Sequence, residues 1–420
     1  MQKFDLIVVG GGPAGIFAAG FAASRGARVL LLEKNRRCGA KLLITGKGRC
    51  NITHAEREPR RFVEAFGPSG KSLLTALYAY GVDDIVAFFE QRGLELTQER
   101  GGRIFPTRGD AASVQKVLDR FLHESGVKLL TDCRVNRLQI EKGRVVAVQT
   151  SNGELRAERY VVATGGLSYP ETGSTGDGYA WARESGHRIV NPRPALVSLQ
   201  LDVDWSGEVR DFNLKNVAIR ALQEGRVLTE RFGEAFFTRD GIGGPIVLDM
   251  SAQVREALTQ GPVCLQLDLK PALDDATFDR RLQRELTAHQ NKDFAKVLDG
   301  LLPKALIPIY LRLSAIDPHK KCHSVSREER QRLLGLFKRL DLPVRGVAGF
   351  ERAIVTSGGV DLRDIDLRSM RSKKIENLYF AGEMIDLDGP TGGYNLQVCW
   401  STGFLAGASS AADLGQESAG

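Results

Sequence analysis

Along the first third of the chain, short fully apolar runs alternate with stretches whose apolar residues recur at helical spacing. Phe4–Gly10 (FDLIVVG) is the first such run, and it leads straight into Gly10-Gly11-Gly12-Pro13-Ala14-Gly15. An Ala-rich stretch of helical character follows, then a second apolar run, Val29–Leu32, that stops on Glu33. An uninterrupted apolar run bounded by turn residues marks a strand buried on both faces, so this order predicts strand, glycine turn, helix, strand. Farther on, Leu73–Arg92 and Ser113–Ser125 predict amphipathic helices, and Val127–Val135 predicts a strand. Arg144–Thr150 and Glu154–Ala163 predict the arms of a hairpin turning at Asn152-Gly153, the second arm running into Thr164-Gly165-Gly166.

The pattern changes near Asn191–Pro194. Short strands with turn signals follow, at Leu196–Val203, Asn216–Gln223, Glu234–Phe237, Ile246–Met250 and Val263–Leu269, which predicts a small barrel or sandwich. From Asp274 to about Leu340 the chain turns helical, charged and Leu-rich, with breaks at Pro303, Pro308 and Pro318. A strand pattern returns after Glu351 (RAIVTSGGV) and again at Asn377–Gly382 (NLYFAG). A glycine-rich turn and a final helix follow, and the last ten residues read as a loose tail. The predicted architecture is α/β. A Rossmann-like domain formed by 1–192 and 346–420 is interrupted by a β-barrel-like domain, 193–272 plus about 341–350, with a helical subdomain at 273–340.

The opening turn has the composition needed to hold a dinucleotide. Gly10 permits the tight turn, Gly12 lets the backbone approach a pyrophosphate, and Gly15 lets the helix lie close to the strand. Pro13 and Ala14 open a helix whose N-terminus faces the phosphate charge. Glu33, roughly 20 residues on, is placed to accept from a ribose 2′-hydroxyl, which argues against a 2′-phosphate there. Near the C-terminus a second arrangement has similar logic. A buried strand ends in Ala381-Gly382, the acids Glu383 and Asp386 follow, and Gly392-Gly393 opens a long helix through Tyr394, Asn395, Leu396 and Gln397. That helix N-terminus is suited to stabilising developing negative charge.

Composition narrows the classes. The 420 residues carry a net charge of +7, with a local concentration of basic residues near Arg327–Arg345. No zinc-finger, helix-turn-helix or aromatic–basic pattern accompanies them, so a solvated basic face is expected, with no strong nucleic-acid signal and no metal. Six cysteines (Cys38, Cys50, Cys133, Cys264, Cys322, Cys399) lie far apart, a reduced rather than disulfide pattern. Cys50 and Cys399 are expected to be packing residues, and His187, at a predicted helix end, a structural one. Asp177 is expected either to cap the helix at Tyr179–Gly186 or to serve the site. The chain opens on strand residues and holds no apolar run long enough to span a membrane, so a cytoplasmic protein without a signal peptide is expected.

Further motifs carry a resemblance. Gly46-Lys47-Gly48-Arg49-Cys50-Asn51, Thr172–Gly178 (TGSTGDG) and Gly389–Gln397 (GPTGGYNLQ), together with Ala163-Thr164-Gly165-Gly166 and Ala381-Gly382-Glu383, resemble the YhiN/BaiN-type flavoprotein family, which has the glutathione-reductase/fumarate-reductase-like FAD fold. The resemblance covers nearly the whole chain. It implies a non-covalent FAD, with Gly10, Gly12 and Gly15 at its pyrophosphate and Glu33 at its ribose. Val135, read as ending its strand, would meet the adenine. Ala163, Thr164, Gly165 and Gly166 would lie alongside the cofactor, Gly382, Glu383 and Asp386 near its ribityl chain, and Gly392, Gly393, Tyr394, Asn395 and Leu396 at the isoalloxazine. Lys34, Lys41 and the loop of Gly46, Lys47, Gly48, Arg49, Cys50 and Asn51 are implied beside it, with Arg49 and Tyr394 as candidate catalytic residues. The resemblance implies an oxidoreductase acting on a small organic molecule, with flavin N5 accepting or donating hydride. Three alternatives stand: an NAD(P)H-dependent enone reductase, a small-amine oxidase using dioxygen, and a non-catalytic flavoprotein binding nucleic acid. With one Gly-x-Gly-x-x-Gly turn in the chain, any NAD(P)H is expected as a transient reductant without its own domain. A substrate pocket is expected between the two domains, with Thr238–Pro245 either bordering it or serving as a plain inter-strand turn. Oligomeric state and substrate identity stay open.

Overall fold

A computed structural model describes residues 3–209 and 212–417, for 415–417 the backbone alone. The described chain forms two compact units, Met1–Pro194 with Ala353–Gly420, and Ala195–Arg352. The helical stretch at 273–340 therefore belongs to the second unit.

In the first unit, Leu6, Ile7 and Val8 are fully buried, because their strand Phe4–Val9 pairs in parallel with a neighbour on each side. The sheet has seven strands in the order Ile365–Asp366, Arg371–Ser372, Leu378–Phe380, Ala157–Val162, Phe4–Val9, Val29–Leu32, Lys128–Leu130. The last five run parallel, and the first two are antiparallel additions at one edge. Two helices lie against each other on this sheet, Pro13–Ala23 and Tyr394–Glu417. A Cβ at Gly403 would collide with the backbone of Ala14, and one at Gly407 with that of Ala18, so small residues set their close approach.

Four predicted elements of this unit differ. Leu73–Arg92 is not one helix: Leu74–Ala79 and Val82–Glu90 are separated at Tyr80-Gly81, where Tyr80 is extended. Val127–Val135 contains only the strand Lys128–Leu130. The chain turns through Asp132 at positive φ, and Val135 opens the next strand, Val135–Glu141. Of the expected hairpin arm Glu154–Ala163, only Gly153–Leu155 pairs with Arg144–Thr150. Ala157–Val162 leaves to pair with Phe4–Val9, because its apolar end, Tyr160-Val161-Val162, is buried best at the sheet centre. The expected tail is helical through Glu417, and residues 418–420 lie outside the described residues.

The second unit is a closed six-stranded barrel of Leu199–Leu201, Gly241–Gly243, Arg226–Thr238, Asn213–Gln223, Val263–Asp268 and Leu340–Val347. Ile246–Met250 is not a strand but the start of the helix Pro245–Leu258. Pro245 sits in its first turn, and Ile246, Val247, Met250, Val254 and Ala257 bury one face at helical spacing. Thr238–Pro245 is more than a turn, since it contains the barrel strand Gly241–Gly243. Helices Asp275–Ala288, Ile307–Ser314 and Arg327–Lys338 share the barrel's core through Phe278, Tyr310 and Phe337. Three of the six basic residues in Arg327–Arg345 are ion-paired there. Arg330 pairs with Asp279 at 2.8 Å, Lys338 with Asp268 at 2.6 Å and Arg339 with Asp275 at 2.6 Å. Among the described residues no single helix is long and apolar enough to cross a membrane.

Candidate functional site

A cleft enclosing about 840 Å³, part of it open to solvent, runs along the glycine turn at the end of the first strand. Gly10 adopts φ +107°, and a Cβ there would collide with the Ala163 carbonyl, so this turn requires glycine. Gly12 differs. A Cβ there would meet nothing within 4 Å, so its Cα faces space rather than protein. Gly15 does not line the cleft; its Cα lies against the Gly10 carbonyl, which is what lets the helix sit so close to the turn.

Glu33 is buried, and its carboxylate binds the turn itself, accepting from Gly11 N–H at 2.7 Å and from Asn35 N–H at 2.8 Å. Each oxygen retains capacity for a ligand hydroxyl. Lys34 closes one side. Its ammonium donates to Thr175 Oγ1 at 2.6 Å and Asp177 Oδ2 at 2.7 Å, and Arg134 reaches Asp177 Oδ1 at 3.4 Å. Burial pushes the Asp177 carboxyl up, but Lys34 prevails and holds it below the usual range. Asp177 is thus an ion-pair partner in the first helical turn, and Gly176 occupies the cap position. Lys41 pairs with Glu383 at 2.6 Å, and Glu383 Oε1 accepts from Thr356 N–H at 2.9 Å.

Of the residues proposed for the cofactor, Gly10, Gly12, Pro13, Ala14, Glu33, Lys34, Lys41, Val135, Ala163, Thr164, Gly165, Gly382 and Glu383 line this cleft. Gly166 packs against Thr356 behind it. Asp386 is outside the lining, bonded through its N–H to the Val360 carbonyl. Burial, with Asp388 and Asp361 nearby, raises its carboxyl.

The loop Gly46–Asn51 also lies outside the lining, as do Gly392, Gly393, Tyr394, Asn395 and Leu396. Arg49, a candidate catalytic residue, is engaged elsewhere: it pairs with Glu99 at 2.6 Å and lies over the Phe105 ring at 4.3 Å. Cys50 is fully buried, and burial pushes its thiol up to about 12, as expected of a packing residue. Asn395 braces its own turn, its amide bonding the Gly389 N–H and the Gly389 and Pro390 carbonyls. Tyr394 stacks on His54 with ring centroids 4.4 Å apart and 19° between planes. His54 Nδ1 lies 3.3 Å from the Gly392 carbonyl, and burial lowers its imidazole below 6.5. His187 is structural, its ring held by Ser185, the Ala182 carbonyl and Ser372.

Sequence reading missed several cleft residues: Gly11, Asn35, Gly39, Cys133, Ser174 and Cys399. Cys399 lies beside Gly382, and burial with the Glu383 charge pushes its thiol up to about 12, so it packs rather than reacts. The GSTG run was visible as a motif, and its glycines signalled the close approach that Gly173 makes to Asn35 and Lys34.

A parallel sheet, a glycine turn opening a helix, an acid at the next strand end and a cleft along them define a Rossmann-type dinucleotide-binding domain. The chain belongs to the family described as HI0933-like protein Rossmann domain, whose model matches residues 4–409. It is 32% identical over 96% of its length, and 98% of the relative's, to a 3-dehydro-bile acid delta(4,6)-reductase of Clostridium scindens. It is 30% identical to a ribosomal RNA dihydrouridine synthase of Escherichia coli, over 96% of each chain. In fold it is similar to a 3-ketosteroid delta1-dehydrogenase from Sterolibacterium denitrificans, with a TM-score of 0.58 at 15% identity, covering 98% of this chain and 100% of that one.

The residues present fit FAD. The Thr164 hydroxyl, buried in the cleft wall, has no hydrogen-bond partner among the described residues, and Gly12 leaves open the space a phosphate requires.

Proposed function

We propose that the chain is an FAD-dependent reductase of carbon–carbon double bonds conjugated to a carbonyl. The observation that carries this reading is the whole-length likeness to two relatives whose named reactions share one bond change. A delta(4,6)-reductase of a 3-dehydro bile acid saturates a double bond in conjugation with a ketone. A dihydrouridine synthase saturates the uridine ring bond next to a carbonyl.

Bound FAD supplies two-electron chemistry at its isoalloxazine ring. The chain's own residues hold and orient it. Gly10, Gly12, Pro13 and Ala14 would take the pyrophosphate at a helix N-terminus, Glu33 a ribose, and Val135 the adenine through its backbone. Thr164, Gly165, Gly382 and Glu383 would border the rest, with Lys41 offsetting the Glu383 charge. The turn at Gly392–Tyr394, which holds the His54 ring, starts the long helix. Its N-terminal amides favour negative charge developing on a substrate carbonyl. A nicotinamide nucleotide is the proposed reductant, visiting transiently because the sequence holds one Gly-x-Gly-x-x-Gly turn.

Anaerobic stopped-flow spectroscopy tests this. NADH or NADPH should bleach the bound flavin, and a 4-en-3-one steroid or a uridine-containing RNA should restore its colour without oxygen. Bleaching by small amines, with colour restored only by dioxygen, would replace the reductase reading by an oxidase one.

A further inference from the structure

Among the described residues Tyr169 is the one aromatic residue whose backbone holds a positive φ, with φ +52° and ψ +62°. Bulky side chains avoid this left-handed region. Pro170 follows, and a residue before proline is pushed toward extended backbone, so the conformation is opposed twice. Bonds on both sides impose it. Before Tyr169, the Leu167 and Ser168 N–H groups donate to Thr356 Oγ1 at 2.8 and 3.2 Å, and Thr356 N–H is bonded in turn to Glu383 of the cleft wall. After it, the Thr172 N–H and hydroxyl donate to the Tyr169 carbonyl at 2.8 and 2.7 Å. The segment leaves the cleft wall at Gly165 and rejoins it at Thr172, Gly173 and Ser174, so Tyr169 stands one turn from that wall. Strained backbone persists only where the surroundings over-determine it, and it collects at functional sites.

The Tyr169 side chain is partly buried, and its hydroxyl has no hydrogen-bond partner among the described residues. Burial, with the Glu171 charge nearby, pushes the phenol above its ordinary value, so it holds its proton at neutral pH. Other proton carriers around the cleft are already engaged. Lys34 and Lys41 are paired with Asp177 and Glu383 at 2.7 and 2.6 Å, and the Cys399 thiol is packed beside Gly382. Reduction of a carbonyl-conjugated double bond needs a free one. The β-carbon takes a hydride, carrying the two electrons that FAD receives from the nicotinamide nucleotide. The π electrons pass to the carbonyl as an enolate, and the α-carbon must then take a proton. We propose that the Tyr169 phenol is the acid that protonates the α-carbon, its phenolate taking a proton back from water. The inference rests on the reductase reading above and assigns the residue that completes its reaction.

Tyr169→Phe removes the hydroxyl and keeps the ring. FAD-loaded protein is reduced anaerobically with one equivalent of dithionite and mixed with an acceptor in a stopped-flow cell. FAD content and melting temperature should match wild type. Recolouring by a 4-en-3-one steroid or a uridine-containing RNA, whichever serves wild type, should slow by roughly 10²- to 10⁴-fold, the usual contribution of a general acid. Ferricyanide takes electrons and needs no proton delivered to carbon, so it should recolour the variant at the wild-type rate. In D2O, wild type should recolour more slowly with the conjugated acceptor but not with ferricyanide. Tyr78→Phe removes an exposed hydroxyl of the same unit and should behave as wild type throughout. The proposal is overturned if Tyr169→Phe reduces the conjugated acceptor at the wild-type rate. It is equally overturned if the variant loses FAD, or slows as much with ferricyanide, since the hydroxyl then serves the fold. Failure of the reductase reading looks different: wild type itself stays bleached with both conjugated acceptors, and the role of Tyr169 falls with it.

Discussion

Gly403 of the last helix lies so close to Ala14 of the first that a Cβ at Gly403 would overlap the Ala14 carbonyl oxygen. The contact couples the two ends of the chain, because Ala14 lines the cleft and the last helix begins at the Gly392–Tyr394 turn. Gly403→Val forces the helices apart and should lower stability by about 1–3 kcal/mol, the usual cost of overpacking. It should also reduce the FAD retained on purification. Gly335→Ala provides the contrast. Gly335 lies within the helix Arg327–Lys338, and a Cβ there meets nothing within 4 Å. That variant should gain up to about 1 kcal/mol, as replacement of a mid-helix glycine does. Thermal melts and the ratio of flavin to protein absorbance check both.

Gly10 and Gly12 belong to one motif, yet they should fail in different ways. Gly10 holds φ +107° and abuts Ala163, so Gly10→Ala strains the fold and should lower the melting temperature of apoprotein. At Gly12 a Cβ meets nothing within 4 Å, so Gly12→Val should leave apoprotein stability nearly unchanged and abolish FAD binding. Apoprotein melting compared with FAD titration separates the two. A Gly12→Val protein that stays yellow would show that the pyrophosphate lies elsewhere.

The contrast explains what was legible in the sequence. Phe4–Gly15, Glu33 and the Ala163–Gly165 turn could be read because their chemistry is local. An apolar run needs burial on both faces, and a residue at φ +107° needs to be glycine. Ile246–Met250 could not be typed by its apolar content, because five apolar-rich residues fit either a strand or a helical turn. The deciding feature was Pro245, which suits a helix N-terminus. Asn35, Cys133 and Cys399 reach the cleft only through long-range packing and carry no motif of their own. Arg49 could not be placed for a related reason: a Gly-rich basic loop has the composition of an anion site and equally of a plain salt bridge, and the Glu99 that binds its guanidinium lies fifty residues away.

Acidification should weaken the first unit. Burial lowers the imidazole of His187 below 6.5, against the opposing Ala182 carbonyl and Asp364, and burial likewise lowers His54. A histidine whose folded value is depressed binds fewer protons folded than unfolded, so its contribution is complete above about 6.5 and is lost as pH falls through the folded value. Melting temperature should therefore drop as pH is lowered below about 6.5. His187→Asn should be less stable at neutral pH but should show a shallower acid slope. An equal slope in both proteins would assign the acid sensitivity to other groups.

Lys41 and Glu383 form a half-buried ion pair 2.6 Å apart in the wall of a cleft that must accept an anionic pyrophosphate. Their charges act in opposite directions on that ligand, so the two single variants should diverge. Lys41→Met removes the cation and leaves the Glu383 carboxylate facing phosphate. FAD affinity should fall by about 10- to 100-fold, the range of a lost hydrogen bond to a charged group. Glu383→Gln keeps an oxygen for the Thr356 N–H and releases Lys41 toward the ligand, so affinity should hold or rise. The double variant should fall between them. Quenching of flavin fluorescence during reconstitution of apoprotein gives all four dissociation constants. Equal losses in both single variants would mean that the pair serves the fold at Thr356 and Gly166 rather than the charge balance of the cleft.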